Sequence, residues 1–260
     1  RTYLFAGGGT GGHLYPGLAI REQILALDPG ARCVFACSTR RLDAEILKAE
    51  GAEFEPLPAH PFALHPARLA KFALGWPGSV GAARALLRRL REGGRPVEVI
   101  AMGGFVAAPC VAAAQTDGLP VTLVNLDAAP GRANRWAAKR AARTYTACEV
   151  PREDAFASWT RVRPIVRAAA VATGDARDCR ARLGLDPDRP VLLVTGASQG
   201  ARSINEFMLK FIANHTSLFS RGESWQVLHQ TGAHGADDVR RAYEQAKIDA
   251  RVEPFVRDMG

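Results

Sequence analysis

The stretch Gly7-Gly8-Gly9-Thr10-Gly11-Gly12-His13 joins an apolar run, Thr2 to Ala6, to an amphipathic one, Leu14 to Leu27. The first reads as a strand and the second as a helix, with Ile20, Ile24 and Leu27 at helical spacing. A loop without Cβ atoms at a helix N-terminus lets a ligand approach the backbone, where the N–H groups of the first turn are unpaired. Such a junction binds anions, usually phosphate. Two later stretches repeat the layout: Met102-Gly103-Gly104-Phe105-Val106 after a strand at 97–101, and Gly196-Ala197-Ser198-Gln199-Gly200-Ala201 after a strand at 190–194.

Outward from these junctions, strands and helices alternate. Strands are predicted at 32–37, 54–57, 121–126, 144–147, 225–230 and 251–255, and helices at 42–50, 111–115, 130–142, 202–213 and 236–246. The rhythm predicts an α/β protein whose parallel sheet carries helices on both faces. Residues 60–95 break it with a loop and one or two basic, Trp-bearing helices, either a membrane-interface segment or a packed helix with a solvated face. Residues 150–178 are irregular and basic, which predicts a passage between two domains, 1–160 and 161–260. The pattern after residue 190 is shorter than a complete α/β half, so the second domain is expected to be truncated.

The 260 residues are 47% hydrophobic, enough for a large core, and the formal charge of +8 favours anionic partners. Basicity without interleaved aromatics or a recognition motif argues against nucleic acid. Cys33, Cys37, Cys110, Cys148 and Cys179 are odd in number and scattered, as expected of reduced core residues, and they complete no zinc pattern. No apolar run is long enough to span a bilayer, so membrane contact would be peripheral. Asp186-Pro187-Asp188 precedes Arg189-Pro190 and a strand, and reads as a turn, not a metal site.

Gly7, Gly9 and Gly12 satisfy G-x-G-x-x-G, so an NADP-dependent oxidoreductase is one alternative. The second strand, however, ends in Ser38-Thr39-Arg40-Arg41 where a ribose-binding acid would stand, which suits only a 2′-phosphate. The two later glycine loops have no place in that reading.

The run GGGTGGH with Pro16, then Gly103-Gly104-Phe105-Val106, Pro130-Gly131 with Asn134-Arg135, Pro164 to Arg167, GASQGAR at 196–202, His229-Gln230-Thr231-Gly232, Pro254-Phe255 and Asp258-Met259 resemble the bacterial MurG family in order along the chain. The resemblance implies two facing Rossmann-like domains of the GT-B type, an acceptor domain followed by a donor domain. It also implies an inverting, metal-independent transfer of N-acetylglucosamine from UDP-N-acetylglucosamine to an undecaprenyl-diphosphate-linked muramyl peptide, at the cytoplasmic side of the plasma membrane and without a cofactor.

Carried over by position, Thr10, Gly11, Gly12, His13, Gly103 and Gly104 face the acceptor diphosphate. Arg167, Ser198, Gln199, Gly200 and Ala201 hold the donor diphosphate, and the Val256 backbone reads the uracil. His13 binds acceptor or moves a proton. Two departures fall in the acceptor domain: Val124-Asn125-Leu126-Asp127 stands for the family's His-Glu-Gln-Asn, and Ala107-Ala108 for its Ser-Gly. Asp127 becomes a candidate general base, although its charge would repel a diphosphate unless Arg132, Arg135 or His13 offsets it. A non-catalytic binder of a polyprenyl-diphosphate sugar or a nucleotide sugar is the other alternative.

Overall fold

The computed structural model describes residues 1–9, 11–150, 158–196, 200–215, 219, 225–233 and 235–256. The chain divides into two compact units, Arg1–Arg167 and Ala168–Gly260. The first contains β1 (Thr2–Ala6), α1 (Gly11–Leu27), β2 (Arg32–Ser38), α2 (Arg41–Ala49), β3 (Glu53–Leu57), α3 (Pro66–Arg91), β4 (Val97–Ala101), α4 (Gly104–Thr116), β5 (Val121–Asn125), α5 (Arg132–Ala138), β6 (Arg143–Thr146) and β7 (Thr160–Arg161). The second contains α6 (Ala176–Arg182), β8 (Val191–Thr195), α7 (Arg202–Asn214), β9 (Gln226–Gln230), α8 (Ala236–Gln245) and β10 (Ala250–Glu253).

In the first unit the seven strands run in the order β3-β2-β1-β4-β5-β6-β7, each pair parallel. The order reverses between β1 and β4, whose ends lie side by side with Ala6 opposite Ala101. Crossover helices diverge on the two sides of such a point and leave a crevice beyond the carboxyl ends of the strands. The period-2 alternation of β1 explains why both sheet faces are covered. Leu4 and Ala6 face α3 and α4, together with Val34, Val99, Leu87, Val106 and Cys110. Phe5 points the other way into α1 and α2, beside Leu14, Leu18, Phe35 and Leu47. The Phe5 and Phe35 rings stack 4.8 Å apart. The second unit is a parallel three-stranded sheet, β10-β9-β8, with its own core of Val194, Met208, Ile212, Val227, Val239 and Tyr243.

Two segments depart from the sequence-based expectation, the start of α4 and helix α6. The helix expected from Val111 starts at Gly104, because Gly103 (φ 96°) turns the chain directly off β4 and the helix continues through Pro109 at the loss of one backbone hydrogen bond. Of the one or two helices expected within 60–95, residues 66–91 form one that runs through Pro77, with the Ser79 hydroxyl bonding the carbonyls of Gly75 (2.9 Å) and Pro58 (2.6 Å). The short α6 has no apolar stripe; the Asp175 carboxylate organises it by accepting from the backbone N–H groups of Arg177 and Asp178, both at 2.9 Å. All five cysteines are free, and burial pushes the thiols of Cys37 and Cys110 up to about 12.

Candidate functional site

Each glycine stretch leaves the carboxyl end of a parallel strand. In the first unit, β1 delivers Gly7 to Gly9 and β4 delivers Gly103 and Gly104, so the two loops meet at the point where strand order reverses. Their glycines are required by contact. A Cβ on Gly7 would lie 2.9 Å from Met102 Cβ, and one on Gly8 would lie 2.5 Å from Asp43 Oδ2 and 2.8 Å from the Ser38 nitrogen. Gly9 adopts φ 88° against the edge of Phe105. Such backbone proximity lets two helix N-termini, those of α1 and α4, open on one place.

His13 stands there, in the first turn of α1. Its ring packs against the backbone of Gly103 and Gly104, so that a Cβ on Gly103 would lie 3.2 Å from His13 Cδ2 and 3.0 Å from Asn134 Oδ1. Burial pushes the His13 imidazole below its ordinary value, while the carboxylates of Asp127 and Asp43 pull in the opposite direction. Asp127 is exposed in the turn after β5. Its carboxylate accepts from Asn134 Nδ2 (3.4 Å) and its carbonyl from Asn125 Nδ2 (2.7 Å), and Asn134 also donates to Asn125 Oδ1 (2.9 Å). Asn125 donates further to Thr146 Oγ1 at 3.1 Å. Of the three side chains proposed from sequence to offset Asp127, His13 feels its charge, while Arg132 lies over the Phe62 ring at 5.9 Å and Arg135 donates to the Pro130 carbonyl at 3.0 Å. The first unit thus brings Gly11, Gly12, His13, Gly103, Gly104 and Asp127 to one crevice; Thr10 lies outside the described residues.

In the second unit, Gly196 follows β8, and Gly200 (φ 70°) packs on the backbone of Thr231 and Gly232 after β9. Ala201 caps α7, and Val256, half-buried, follows β10. Gly200, Ala201 and Val256 therefore share the carboxyl edge of the small sheet, whereas Ser198 and Gln199 lie outside the described residues. A buried polar relay supports this edge. His229, fully buried in β9, contacts Tyr243 OH through Nδ1 and Asn205 Oδ1 through Nε2, each at 3.1 Å, and Asn205 Nδ2 donates to the Thr231 carbonyl at 3.0 Å. Since that donation orients the amide, the network assigns the His229 proton to Nε2. Burial lowers His229 to about 4.

Arg167, matched by position to the donor diphosphate, lies at the end of the first unit. Its Nε donates to Glu22 Oε1 at 2.8 Å and its Nη1 to Glu50 Oε1 at 2.6 Å. Asp188 N donates to Asp186 Oδ1 at 2.9 Å, the local turn expected of that pair. Among the described residues no group of His, Cys, Asp and Glu is arranged to hold a metal ion.

Asn125, Asn134, Asn205 and Asp43 escaped functional reading of the sequence. Ser38 and Arg40, which the sequence offers as a possible 2′-phosphate site, are engaged within the protein: Ser38 Oγ donates to Asp43 Oδ2, and Arg40 donates to the Gly9 carbonyl. A Ser at a strand end with an Asp five residues on was the available signal.

Residues 3–146 match the glycosyltransferase family 28 N-terminal domain and residues 191–260 the family 28 C-terminal domain. Among curated proteins, the chain is 37% identical over 236 residues to a UDP-N-acetylglucosamine–N-acetylmuramyl-(pentapeptide) pyrophosphoryl-undecaprenol N-acetylglucosamine transferase of Clavibacter michiganensis, covering 89% of this chain and 61% of that protein. It is 33% identical over 258 residues to the protein of the same name from a Nocardioides species, covering 98% and 68%. The chain thus spans about three-fifths to two-thirds of the length of these relatives. Acinetobacter baumannii MurG is similar in structure, with a TM-score of 0.68 at 21% identity over 100% of this chain and 69% of that one. Anabaena HepE in complex with UDP and glucose gives 0.61 at 11% identity, covering 99% and 70%. These likenesses support the Rossmann-like GT-B fold, and family membership sets aside the oxidoreductase alternative. On the order of its motifs, both domain matches and these relatives, the chain belongs to the MurG branch of glycosyltransferase family 28.

Proposed function

We propose that the chain carries the acceptor site and part of the donor site of an inverting transferase that moves N-acetylglucosamine from UDP-N-acetylglucosamine to an undecaprenyl-diphosphate-linked muramyl peptide. One observation carries the reading: two glycine-bearing helix N-termini converge on His13 at the switch point of a parallel sheet. A diphosphate is the ligand chemistry that two such termini favour. Gly11, Gly12, Gly103 and Gly104 offer backbone N–H groups to it, His13 adds a proton-bearing ring, and Thr10 is assigned to the same ligand by its position in the family. Asp127 accepts the proton of the acceptor hydroxyl as that oxygen bonds to the anomeric carbon, while the bond from this carbon to UDP breaks with inversion. The loop from Ser198 to Ala201 stabilises the departing diphosphate, with Val256 at the uracil; Arg167 is assigned to the same diphosphate by its position in the family alone, since here it is paired with Glu22 and Glu50. Metal and cofactor have no part in this scheme.

Calorimetry with UDP-N-acetylglucosamine, on this chain and on one extended to the length of its relatives, tests the reading together with UDP release by the extended chain. Binding and turnover by the extended chain support it. Binding without turnover favours the non-catalytic alternative, and absence of binding in both overturns the donor assignment. An unchanged rate in Asp127→Ala removes Asp127 as base.

The same reading places the enzyme peripherally on the cytoplasmic face of the membrane. No described helix is long and apolar enough to cross a bilayer. Supporting the peripheral contact, Leu64 and Leu74 are 70% and 84% exposed around α3, near Arg68 and Lys71, whereas Phe72 and Trp76 pack in an aromatic row with Trp136. Leu64→Ser with Leu74→Ser is expected to release the protein from anionic vesicles in co-sedimentation; undiminished binding would assign α3 to ordinary packing.

A further inference from the structure

Asp43 is fully buried in the first turn of α2, away from the glycine loop in sequence but directly beneath it. Its Oδ2 accepts from Gly9 N at 2.7 Å, Ser38 N at 3.0 Å and Ser38 Oγ at 2.7 Å, and among the described residues Oδ1 has no hydrogen-bond partner. Arg40 reaches over from the other side: its Nη1 donates to the Gly9 carbonyl at 2.6 Å, and its guanidinium lies 5.8 Å from the Phe105 ring centre. Gly9 is therefore held by its N–H and by its C=O, in a left-handed conformation (φ 88°) closed off by Phe105.

A buried carboxylate under an anion-binding loop is electrostatically adverse to the ligand, so its presence needs a compensating role. The geometry points to Asp43 as the positioning residue of the diphosphate loop, with Arg40 as its counterpart on the Gly9 carbonyl. A carbonyl oxygen turned towards an anion repels it. The pair keeps the Gly9 carbonyl on Arg40 and fixes the backbone direction that leads into the first turn of α1, where the free N–H groups begin. Asp43 also acts on His13. Among the charged groups that bear on this ring are Asp127 from the turn after β5 and, more weakly, Asp43 from α2, and both favour its protonated form against burial. Asp43 thus fixes the shape of the loop and adds to the negative field that Asp127 places on His13. The inference rests on the diphosphate reading of the loop.

The test uses Asp43→Asn, which keeps the shape and removes the charge, with two measurements: calorimetric affinity for inorganic pyrophosphate, and the His13 titration midpoint by NMR of ring-labelled histidine, assigned with His13→Gln. A loss of affinity of about tenfold, the scale of a charge-assisted hydrogen bond, is expected together with a lower His13 midpoint. Unchanged affinity and an unmoved midpoint overturn the inference. If the wild-type chain itself fails to bind pyrophosphate, the diphosphate reading falls, while the His13 midpoint still decides whether Asp43 acts on the ring. Should Asp43→Asn fail to fold, Ser38→Ala and Arg40→Gln carry the decision. Both are expected to weaken pyrophosphate binding several-fold, and the loss persists at high ionic strength, where a mere surface charge would be screened. Full affinity in both variants overturns the inference.

Discussion

At the scale of single residues, close backbone approach governs the first site and a buried neutral ring governs the second. Gly8→Ala would drive a methyl group to 2.5 Å from Asp43 Oδ2, against a side chain already held by three donors. Overpacking of that kind costs about 1–3 kcal/mol, and denaturant titration is expected to show it. Gly51→Ala is the control: its φ of 56° carries the left-handed penalty but no atom lies within 4 Å, so a loss of only about 1 kcal/mol is expected. For His229, the folded ring titrates near 4 and the unfolded one near 6.5. The unfolded chain therefore takes up a proton that the native state refuses, so stability is full above about pH 6.5 and falls as pH drops towards 4. Urea unfolding of the second unit is expected to lose about 2 kcal/mol between pH 7 and pH 5, and His229→Gln should remove that slope while lowering stability at pH 7.

At the scale of elements, strands were easier to read than helix starts. The apolar alternation of β1 and β4 and the glycines that follow place both loops, because period 2 and a missing Cβ are local properties. The start of α4 at Gly104 was not legible: Ala107, Ala108 and Pro109 suggest a loop locally, and the helix forms because Val106, Cys110 and Val111 are buried against the sheet. Helix α6 is the converse, an exposed basic segment whose order depends on one cap. Asp175→Ala should destabilise the second unit by about 1 kcal/mol, seen as faster amide exchange at Arg177 and Asp178.

At the scale of the whole molecule, each unit owns its core: one sheet buried on both faces, and one three-stranded sheet packed on α7 and α8. A chain ending just after Arg167 is expected to fold cooperatively and to keep its affinity for pyrophosphate, measured by thermal unfolding and calorimetry. Loss of folding would show that the first core is incomplete alone. The sequence by itself determined the α/β class, the three glycine loops and the family, since these rest on periodicity, on the absence of side chains and on spacing along the chain. Only the tertiary structure decided that His13 packs on Gly103 and Gly104, that Asn134 links Asn125 to Asp127, that Asp43 and Arg40 grip Gly9, and that Arg167 spends its charge on Glu22 and Glu50. Each of these pairings joins residues from different strands or helices, and a hydrogen bond between distant segments leaves no period or composition in the chain to be read.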